Sequence, residues 1–340
     1  MELKQALEQL LNRHELQEEQ MESVMQQLMS GHATQAQIGA ILTALRMKGE
    51  TLAEVTSAVR VMRSLATPVA LSDKSKLVDT CGTGGDGANT FNISTACAFV
   101  VAAAGGMVAK HGNRSISSQS GSADVLEVAG VDLTLTPEQV AECIDETGVG
   151  FMFAQAHHGA MKHVIGARKE MGVRTIFNLL GPLTNPAGAP YQVIGVYDKS
   201  LITLFAKVLQ KLGSKHVMVV HADDGLDEIS IASKTSVAEL RGGEIFYWEI
   251  DPYDLDMDHV SLADLSVDSA QDSLNIIRSV FANNDSAAKD IVCLNAGAAL
   301  YVSGLAETYP EGVTLARTVI AKGLAQKKFN DFIAKTQSFA

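Results

Sequence analysis

Cysteine is scarce in this sequence and never occurs in a metal-binding pattern. The 340 residues contain four cysteines, and no two of them form a C-x-x-C pair. Zinc sites and disulfide frameworks usually require closely spaced cysteines. The sequence therefore predicts reduced, buried thiols at Cys81, Cys97, Cys143 and Cys293.

Long apolar runs and an excess of positive charge are missing as well. No uncharged apolar stretch reaches the roughly 18 residues of a membrane span, so none is expected. The first residues, M-E-L-K-Q-A-L-E-Q-L, form an acidic amphipathic pattern rather than a signal peptide, which predicts a cytoplasmic protein. The 27 basic residues are outnumbered by 39 acidic ones, giving a net charge of −12. This balance argues against a general nucleic-acid binder.

The first 66 residues have the periodicity of four helices. Thr34 with Gln37, and Thr51 with Glu54, have the spacing of capping boxes. Apolar stripes follow these signals. They contain more apolar side chains than one small helical bundle readily buries. We therefore predict a homodimer that pairs through stripes containing Leu3, Leu7, Leu10, Ile38, Ile41 and Leu45.

From Leu77 onward, strand and helix signals alternate, which predicts a mostly parallel sheet with helices on both faces. Residues 235–241 and 244–250 flank Gly242-Gly243 and predict a hairpin. The alternation is interrupted by a helix signal at 160–171 and by the turn-rich stretch T-I-F-N-L-L-G-P-L-T-N-P-A-G. We expect a small, discontinuous helical domain at 1–70 with a return segment near 165–190, and an α/β domain at 75–340. The other strand signals are residues 77–78, 107–109, 151–154, 191–197 and 215–221.

The most informative segment is V-D-T-C-G-T-G-G-D-G-A-N-T-F-N-I-S-T at residues 78–95. Its glycines follow a strand signal, and Asn92 to Thr95 open an apolar helix. Glycines permit positive φ and close approach, so that successive N–H groups can converge on an anion. A helix N-terminus adds partial positive charge. The segment therefore predicts a phosphate site.

The spacing Gly82-x-Gly84-x-x-Gly87 also fits a dinucleotide fingerprint, which requires an acidic residue about 20 positions further on. Here the next strand signal ends at Lys110, so that position carries a cation instead. A nucleotide P-loop is disfavoured too, because no Gly-Lys-Ser/Thr closes the turn. The run K-H-G-N-R-S-I-S-S-Q-S-G-S-A-D at 110–124 is rich in serine and resembles a linker in composition. Its place between a strand and a helix favours a ligand-binding loop.

Several motifs in this order resemble the anthranilate phosphoribosyltransferase family over nearly the full length. They are D-T-C-G-T-G-G-D-G, N-I-S-T, K-H-G-N-R, S-G-S-A-D-V-L-E, G-V-R-T-I-F-N-L-L-G-P-L-T-N-P and L-D-E-I-S. The resemblance implies transfer of the phosphoribosyl group of phosphoribosyl pyrophosphate to the amine of anthranilate, the second committed step of tryptophan biosynthesis. It also implies a homodimer through the helical domains. A loose association with anthranilate synthase is a further expectation.

The resemblance assigns site residues by motif position. For phosphoribosyl pyrophosphate they are Gly82, Gly85, Asp86, Thr90, Asn92, Ile93, Ser94, Thr95, Lys110, His111, Gly112, Asn113, Arg114, Ser115, Ile116, Ser117, Ser118 and Ser122. For anthranilate they are Gly82, Asn113 and Arg168, with His158 as a further candidate. Ser94, Asp227 and Glu228 are expected to hold Mg²⁺, with two ions per active site. No general base is assigned, and catalysis is expected from positioning and electrostatics.

Two other functions share part of this pattern. A pyrimidine nucleoside phosphorylase has a similar architecture and serine-rich loop but binds inorganic phosphate. The residues of the motifs D-T-C-G-T-G-G-D-G and L-D-E-I-S favour the transferase. A non-catalytic nucleic-acid-binding relative should show basic enrichment, which the charge of −12 opposes.

Overall fold

The computed structural model describes residues 1–115 and 119–339. The chain forms two compact units, a helical unit of Met1–Pro68 and Gln155–Pro186, and an α/β unit of Val69–Ala154 and Ala187–Ala340. Within the described ranges, no helix combines the length and the apolar character that a membrane crossing needs.

The helical unit begins with four helices whose starts follow the predicted caps. In the third helix, the Thr34 hydroxyl accepts from the Gln37 amide at 3.2 Å, and the Gln37 side chain accepts from the Thr34 amide at 2.9 Å. Thr51 and Glu54 form the same reciprocal pair at the fourth helix. Both capping boxes are confirmed. The helices are α1 (Leu3–Leu11), α2 (Glu18–Met29), α3 (Gln35–Lys48) and α4 (Leu52–Leu65).

The apolar stripes of these helices are not left over for a partner subunit. Leu3, Leu10, Ile38, Ile41 and Leu45 are all buried within the single chain, and Leu7 is half-buried. The reason given for the predicted homodimer is therefore wrong, because α1 packs on α3 and α2 packs on α4 closely enough to cover these side chains.

The α/β unit begins at Val69, a few residues after the end of α4. Its first half consists of β1 (Leu77–Gly82), α5 (Ile93–Ala103), β2 (Met107–Gly112), α6 (Ser122–Val128), α7 (Pro137–Thr147) and β3 (Val149–Phe153). Gly148, in the left-handed conformation, ends α7 and turns the chain directly into β3.

The chain then returns to the helical unit through α8 (Ala154–His157), α9 (Ile165–Met171) and α10 (Phe177–Leu180). The continuous helix predicted over 160–171 is wrong in its first half, which is a 3₁₀ turn at Gly159–His163. The side chain of Gln35 explains the break, because it donates to the His163 carbonyl at 3.2 Å and accepts from the Ala167 amide at 2.8 Å. Backbone groups that would continue one helix are thus satisfied by a neighbouring helix.

The second half of the α/β unit carries the rest of the sheet and its covering helices. The elements are β4 (Tyr191–Gly195), α11 (Leu201–Lys211), β5 (His216–Ala222), β6 (Thr235–Arg241), β7 (Glu244–Ile250), α12 (Ala270–Phe281), α13 (Ala287–Val302), α14 (Tyr309–Ala321) and α15 (Leu324–Gln337). The β6–β7 hairpin has the predicted bounds.

The seven strands form one sheet in the order β3-β2-β1-β4-β5-β6-β7. The first five are parallel to their neighbours, and the last two are antiparallel. Helices cover both faces, and on one of them α5 packs against α13 and α15 around Phe99. The predicted fold class is confirmed. The strand order reverses direction between β1 and β4, and in such sheets ligands bind at the carboxyl ends of the strands flanking this switch point.

Candidate active site

An acidic loop lies over the carboxyl ends of β1 and β4. It follows β5 and carries Asp227, which is buried, and Glu228, which is half-buried. The Asp227 carboxylate accepts from the Gly84 backbone N–H at 2.7 Å. The L-D-E-I-S motif and the glycine-rich turn, 143 positions apart in sequence, therefore meet at the switch point.

Two glycines make room for this loop. Gly82 and Gly195 are register partners at the ends of β1 and β4. A Cβ on Gly82 would lie 2.3 Å from the Asp227 carboxylate, and a Cβ on Gly195 would lie 1.5 Å from the Asp227 carbonyl oxygen. Any larger residue at Gly195 would overlap the loop backbone. The strand predicted over 191–197 is wrong at its end, because β4 stops at Gly195 and the Tyr197 amide donates to the Thr83 hydroxyl at 3.0 Å instead of to a strand.

The negative charge of the acidic loop is compensated only in part by Lys110. Burial, and secondarily the charge of Asp86, raise the pKa of Asp227. Burial, and secondarily the charge of Asp227, raise the pKa of Glu228, whereas Lys110 opposes that rise. Carboxylates that repel one another in a buried site are a favourable place for a cation.

Lys110 is buried at the base of this cluster. Its ammonium donates to the Thr80 carbonyl at 2.7 Å and to the Ser94 hydroxyl at 3.1 Å. Glu228 lies beside the Ser94 backbone and Lys110, both of which favour its charged form and oppose the rise in its pKa. The structure thus brings together Ser94, Asp227 and Glu228, the three residues assigned to the metal, and places the buried lysine beside them.

The glycine-rich turn crosses above these groups. Gly84, Gly85 and Gly87 all have positive φ, between 68° and 78°. Asp86 lies between Gly85 and Gly87, accepts from the Ala88 amide at 3.2 Å, and its charge raises the pKa of Asp227. At the far end of the turn, Thr90 bridges to Ser266. The Gly84 N–H of this turn is taken by Asp227, and the positive φ values allow the close backbone approach on which the predicted phosphate site depends.

The start of α5 is fixed by a polar cluster around Asn92. Its side-chain oxygen accepts from the hydroxyls of Ser120 and Ser273, both at 2.7 Å, and its amide group donates to the Ser120 carbonyl at 3.1 Å. Ile93 and Thr95 are buried behind it. Asn92 therefore joins the helix start to the serine-rich loop.

Asp124 organises the described part of the serine-rich loop. Its carboxylate accepts from the backbone amides of Ser115 and Gly121, both at 2.9 Å. Arg114 is directed at α6, where it forms a bidentate pair with Glu127 at 2.7 Å. This arginine therefore faces carboxylates in the structure. The assigned residues Ile116, Ser117 and Ser118 lie outside the described residues.

The remaining residues of this loop sit at the end of β2. The His111 amide donates to Asp79 at 3.3 Å, and the Asn113 carbonyl accepts from the Ser122 hydroxyl at 3.3 Å. A Cβ on Gly112 would lie 2.1 Å from that hydroxyl, so this position requires glycine. The loop thus returns close to the strand that starts it.

Two residues assigned to anthranilate belong to the helical unit. Arg168 is half-buried near the end of α9, with its guanidinium carbon 5.3 Å from the centre of the Phe177 ring. Burial lowers the pKa of this arginine, and no carboxylate among the described residues pairs with it. Burial, and then the neighbouring His157, lower the pKa of His158 to about 4, so this ring is neutral at pH 7.

Sequence reasoning missed four residues that support the site: Asp79, Gly195, Ser273 and Asn295. Asp79 and Ser273 hydrogen bond to His111 and Asn92, and Asn295 bonds to the backbone next to Glu228. Their only sequence signal is a polar residue or a glycine inside an apolar element, and their partners are distant in the chain.

The site fits Mg²⁺ by the chemistry of its donors. Mg²⁺ prefers oxygen ligands and usually takes one or two carboxylates together with substrate phosphates. Asp227, Glu228 and the Ser94 hydroxyl supply such oxygens next to the glycine-rich turn. Burial and neighbouring acids raise the pKa of both carboxyl groups, so a bound cation would favour their charged forms.

The chain is similar over its full length to known proteins of one family. Residues 4–66 match the helical bundle domain of a glycosyl transferase family, and residues 74–326 match its a/b domain. An anthranilate phosphoribosyltransferase from Hydrogenovibrio crunogenus is 70% identical over the whole of both chains.

Solved structures agree as well. The crystal structure of the Thermus thermophilus anthranilate phosphoribosyltransferase has a TM-score of 0.92 and 39% identity, covering 98% of this chain and 99% of that one. The Saccharomyces cerevisiae enzyme, solved in complex with PRPP and Mg, has a TM-score of 0.90 and 25% identity, covering 99% and 98%. With these full-length similarities added to the geometry at the switch point, the chain belongs to the anthranilate phosphoribosyltransferase family.

Proposed function

We propose that this chain transfers the 5-phosphoribosyl group of phosphoribosyl pyrophosphate to the amine of anthranilate. The products are N-(5-phosphoribosyl)anthranilate and pyrophosphate. The observation that carries this proposal is the buried acidic loop held over Gly82 and Gly195, beside the glycine-rich turn and Lys110.

The phosphates of the donor would be held by the glycine-rich turn and the start of α5. Three glycines with positive φ leave room for phosphate oxygens close to the backbone, and the helix N-terminus contributes partial positive charge. Lys110 adds a buried cation beneath the Ser94 hydroxyl. These groups favour a polyanion over a neutral ligand.

Mg²⁺ would be held by Asp227, Glu228 and Ser94, and we expect two ions per site. When bound, it would neutralise charge on the departing pyrophosphate. The chain contributes a preorganised set of oxygens, with Asp227 fixed by the Gly84 amide and the backbone after Glu228 fixed by Asn295. Preorganised groups stabilise developing charge without reorganising during the reaction.

We assign the anthranilate carboxylate to Arg168, together with Gly82, Asn113 and His158. A half-buried guanidinium with no carboxylate partner among the described residues is suited to an anionic ligand. The neutral His158 ring would offer hydrogen bonding without a second positive charge.

The bond changes require no strong base. The neutral aryl amine donates its lone pair to C1 of the ribose, and the bond from C1 to the pyrophosphate oxygen breaks with its electron pair leaving on pyrophosphate. The amine then loses one proton to solvent. The chain therefore acts by holding the amine in line with C1 and by stabilising the leaving group.

The test is a turnover assay that follows the loss of anthranilate fluorescence in the presence of phosphoribosyl pyrophosphate and Mg²⁺. The Asp227→Asn, Glu228→Gln double variant should keep a wild-type Tm but lose at least about a hundredfold in kcat and change its Mg²⁺ dependence. Turnover of a pyrimidine nucleoside with inorganic phosphate, without turnover of anthranilate, would contradict the proposal. An unchanged Mg²⁺ profile in the double variant would overturn the metal assignment.

We further propose a cytoplasmic homodimer that pairs through the helical unit. Leu11 on α1 and Met47 on α3 are 68% and 70% exposed, although these two helices pack on one another. A second copy covering this surface would remove both apolar side chains from water. A loose association with anthranilate synthase is proposed only on the basis of shared chemistry, since that enzyme makes the acceptor.

A further inference from the structure

Asn295 is an unusual residue for its position. It lies in the middle of α13, a 16-residue helix whose neighbouring side chains are almost all apolar, and it is only 3% exposed. Asparagine is a poor helix former, and a buried amide costs stability unless it is fully hydrogen bonded. The position therefore calls for an explanation beyond core packing.

The hydrogen bonds of Asn295 supply that explanation. Its side-chain oxygen accepts from the Ile229 amide at 2.8 Å, and its nitrogen donates to the Ile229 carbonyl at 2.9 Å. The third bond, to the Ile291 carbonyl at 2.9 Å, anchors the amide to its own helix. Two of the three hydrogen bonds thus join α13 to a single residue of the acidic loop, Ile229.

Ile229 directly follows Glu228, so its amide belongs to the peptide plane that links the two residues. By binding this N–H and the next carbonyl, Asn295 fixes the peptide planes on both sides of Ile229. The orientation of the Glu228 side chain depends on these planes. Asp227 is held on the other side by the Gly84 amide and by contact with Gly195.

We propose that Asn295 is a positioning residue that holds the acidic loop in its cation-binding conformation and so sets its affinity for Mg²⁺. This inference rests on the proposed function, in which Asp227 and Glu228 hold the metal. Asn295 does not touch the substrates or the ion in this scheme. It acts through the backbone of Ile229.

The experiment compares Asn295→Ala with Ser303→Ala. Ser303 is a matched control because it is also buried, at the cap directly after α13, and its hydroxyl donates to carbonyls of that helix, those of Ala299 at 2.7 Å and Leu300 at 3.2 Å. For each variant we would measure the Mg²⁺ concentration that gives half-maximal rate. Mn²⁺ binding in the presence of pyrophosphate, followed by the EPR signal of the free ion, provides a readout independent of turnover.

We expect Asn295→Ala to raise the half-maximal Mg²⁺ concentration and the Mn²⁺ dissociation constant by about tenfold, equivalent to ~1.4 kcal/mol. Saturating Mg²⁺ should restore most of kcat, and the KM for anthranilate should stay within about twofold of wild type. Ser303→Ala should lower Tm without changing either metal constant. If Asn295→Ala does not fold, Asn295→Ser decides the question, because its hydroxyl can replace one of the loop bonds.

Metal constants of the Asn295 variant within about twofold of wild type would overturn the inference, as would equal shifts in Ser303→Ala. Failure of the proposed function gives a different result. In that case the Asp227→Asn, Glu228→Gln double variant itself would keep its Mg²⁺ profile.

Discussion

At the scale of single residues, the site depends on charges that the chain balances incompletely. Lys110 is the clearest example, because it is buried and its ammonium donates to two neutral groups, the Thr80 carbonyl and the Ser94 hydroxyl. It stabilises the neighbouring Glu228 carboxylate. We therefore expect the positive charge of Lys110 to act on a phosphate ligand from beneath the acidic loop.

Lys110→Met should raise the KM for phosphoribosyl pyrophosphate by about tenfold or more, since a buried cation next to the phosphate site is lost. The KM for anthranilate should change little. Steady-state kinetics with each substrate varied in turn measures both. Lys76→Met is the control, because Lys76 is exposed before β1, and equal effects of the two variants would refute the prediction.

Arg168→Ala should raise the KM for anthranilate by about ten- to a hundredfold, which corresponds to the 1.5–3 kcal/mol of a charge-assisted hydrogen bond. The KM for phosphoribosyl pyrophosphate should be nearly unchanged. The adjacent Lys169→Ala is the matched control, because Lys169 is exposed on the same helix. Similar small effects from both variants would make Arg168 an ordinary surface residue.

At the scale of elements, the close approach of the acidic loop to β4 makes a sharp prediction. Gly195→Ala would place a Cβ 1.5 Å from the Asp227 carbonyl, so the loop must move away. We expect a loss of turnover of at least about a hundredfold and a lower Tm, because neither backbone can yield cheaply. Activity assays and thermal unfolding test both effects.

Gly39→Ala is the comparison for that variant. Gly39 lies within α3, and a Cβ there would meet only the Met171 sulfur at an ordinary 3.8 Å. Alanine should therefore stabilise the helix by about 0.5–1 kcal/mol and leave turnover unchanged. If the two glycine variants behave alike, the steric argument at Gly195 is wrong.

The elements themselves were largely predictable from the sequence, because their signals are local. The capping boxes at Thr34 and Thr51 and the glycines of the β6–β7 hairpin each depend on residues within a few positions. The break in the helix predicted over 160–171 was not predictable, because it depends on Gln35, 132 positions from Ala167. Local pattern carries no information about such a contact.

The site was predictable only where its motifs are continuous. The glycine-rich turn, the serine-rich loop and the acidic pair could each be recognised in the sequence. Their support could not, because Gly195 matters through its register with Gly82 and Asn295 through bonds to a residue 66 positions away. These relations exist only once the sheet and α13 have formed.

At the scale of the whole molecule, the proposed homodimer predicts a solution mass of twice 36.1 kDa. Light scattering coupled to size-exclusion chromatography at micromolar concentration measures this directly. Leu11→Glu combined with Met47→Glu should shift the mass to that of one chain, because two exposed apolar side chains become charged. A monomer in the wild type, or an unaffected dimer in the variant, would contradict the proposed surface.

The discontinuity of the helical unit has a consequence for how the protein is made. Helices α3 and α4 pack against α9 and α10, and Arg63 donates to the Leu183 carbonyl at 2.9 Å. Residues 1–68 leave the ribosome long before these partners, and translation at about 5–20 residues per second puts the delay at roughly ten seconds. During that interval the first helices lack part of their covering while the strands β1 to β3 emerge. The nascent helical segment should therefore be a chaperone substrate until residue 186 has been synthesised.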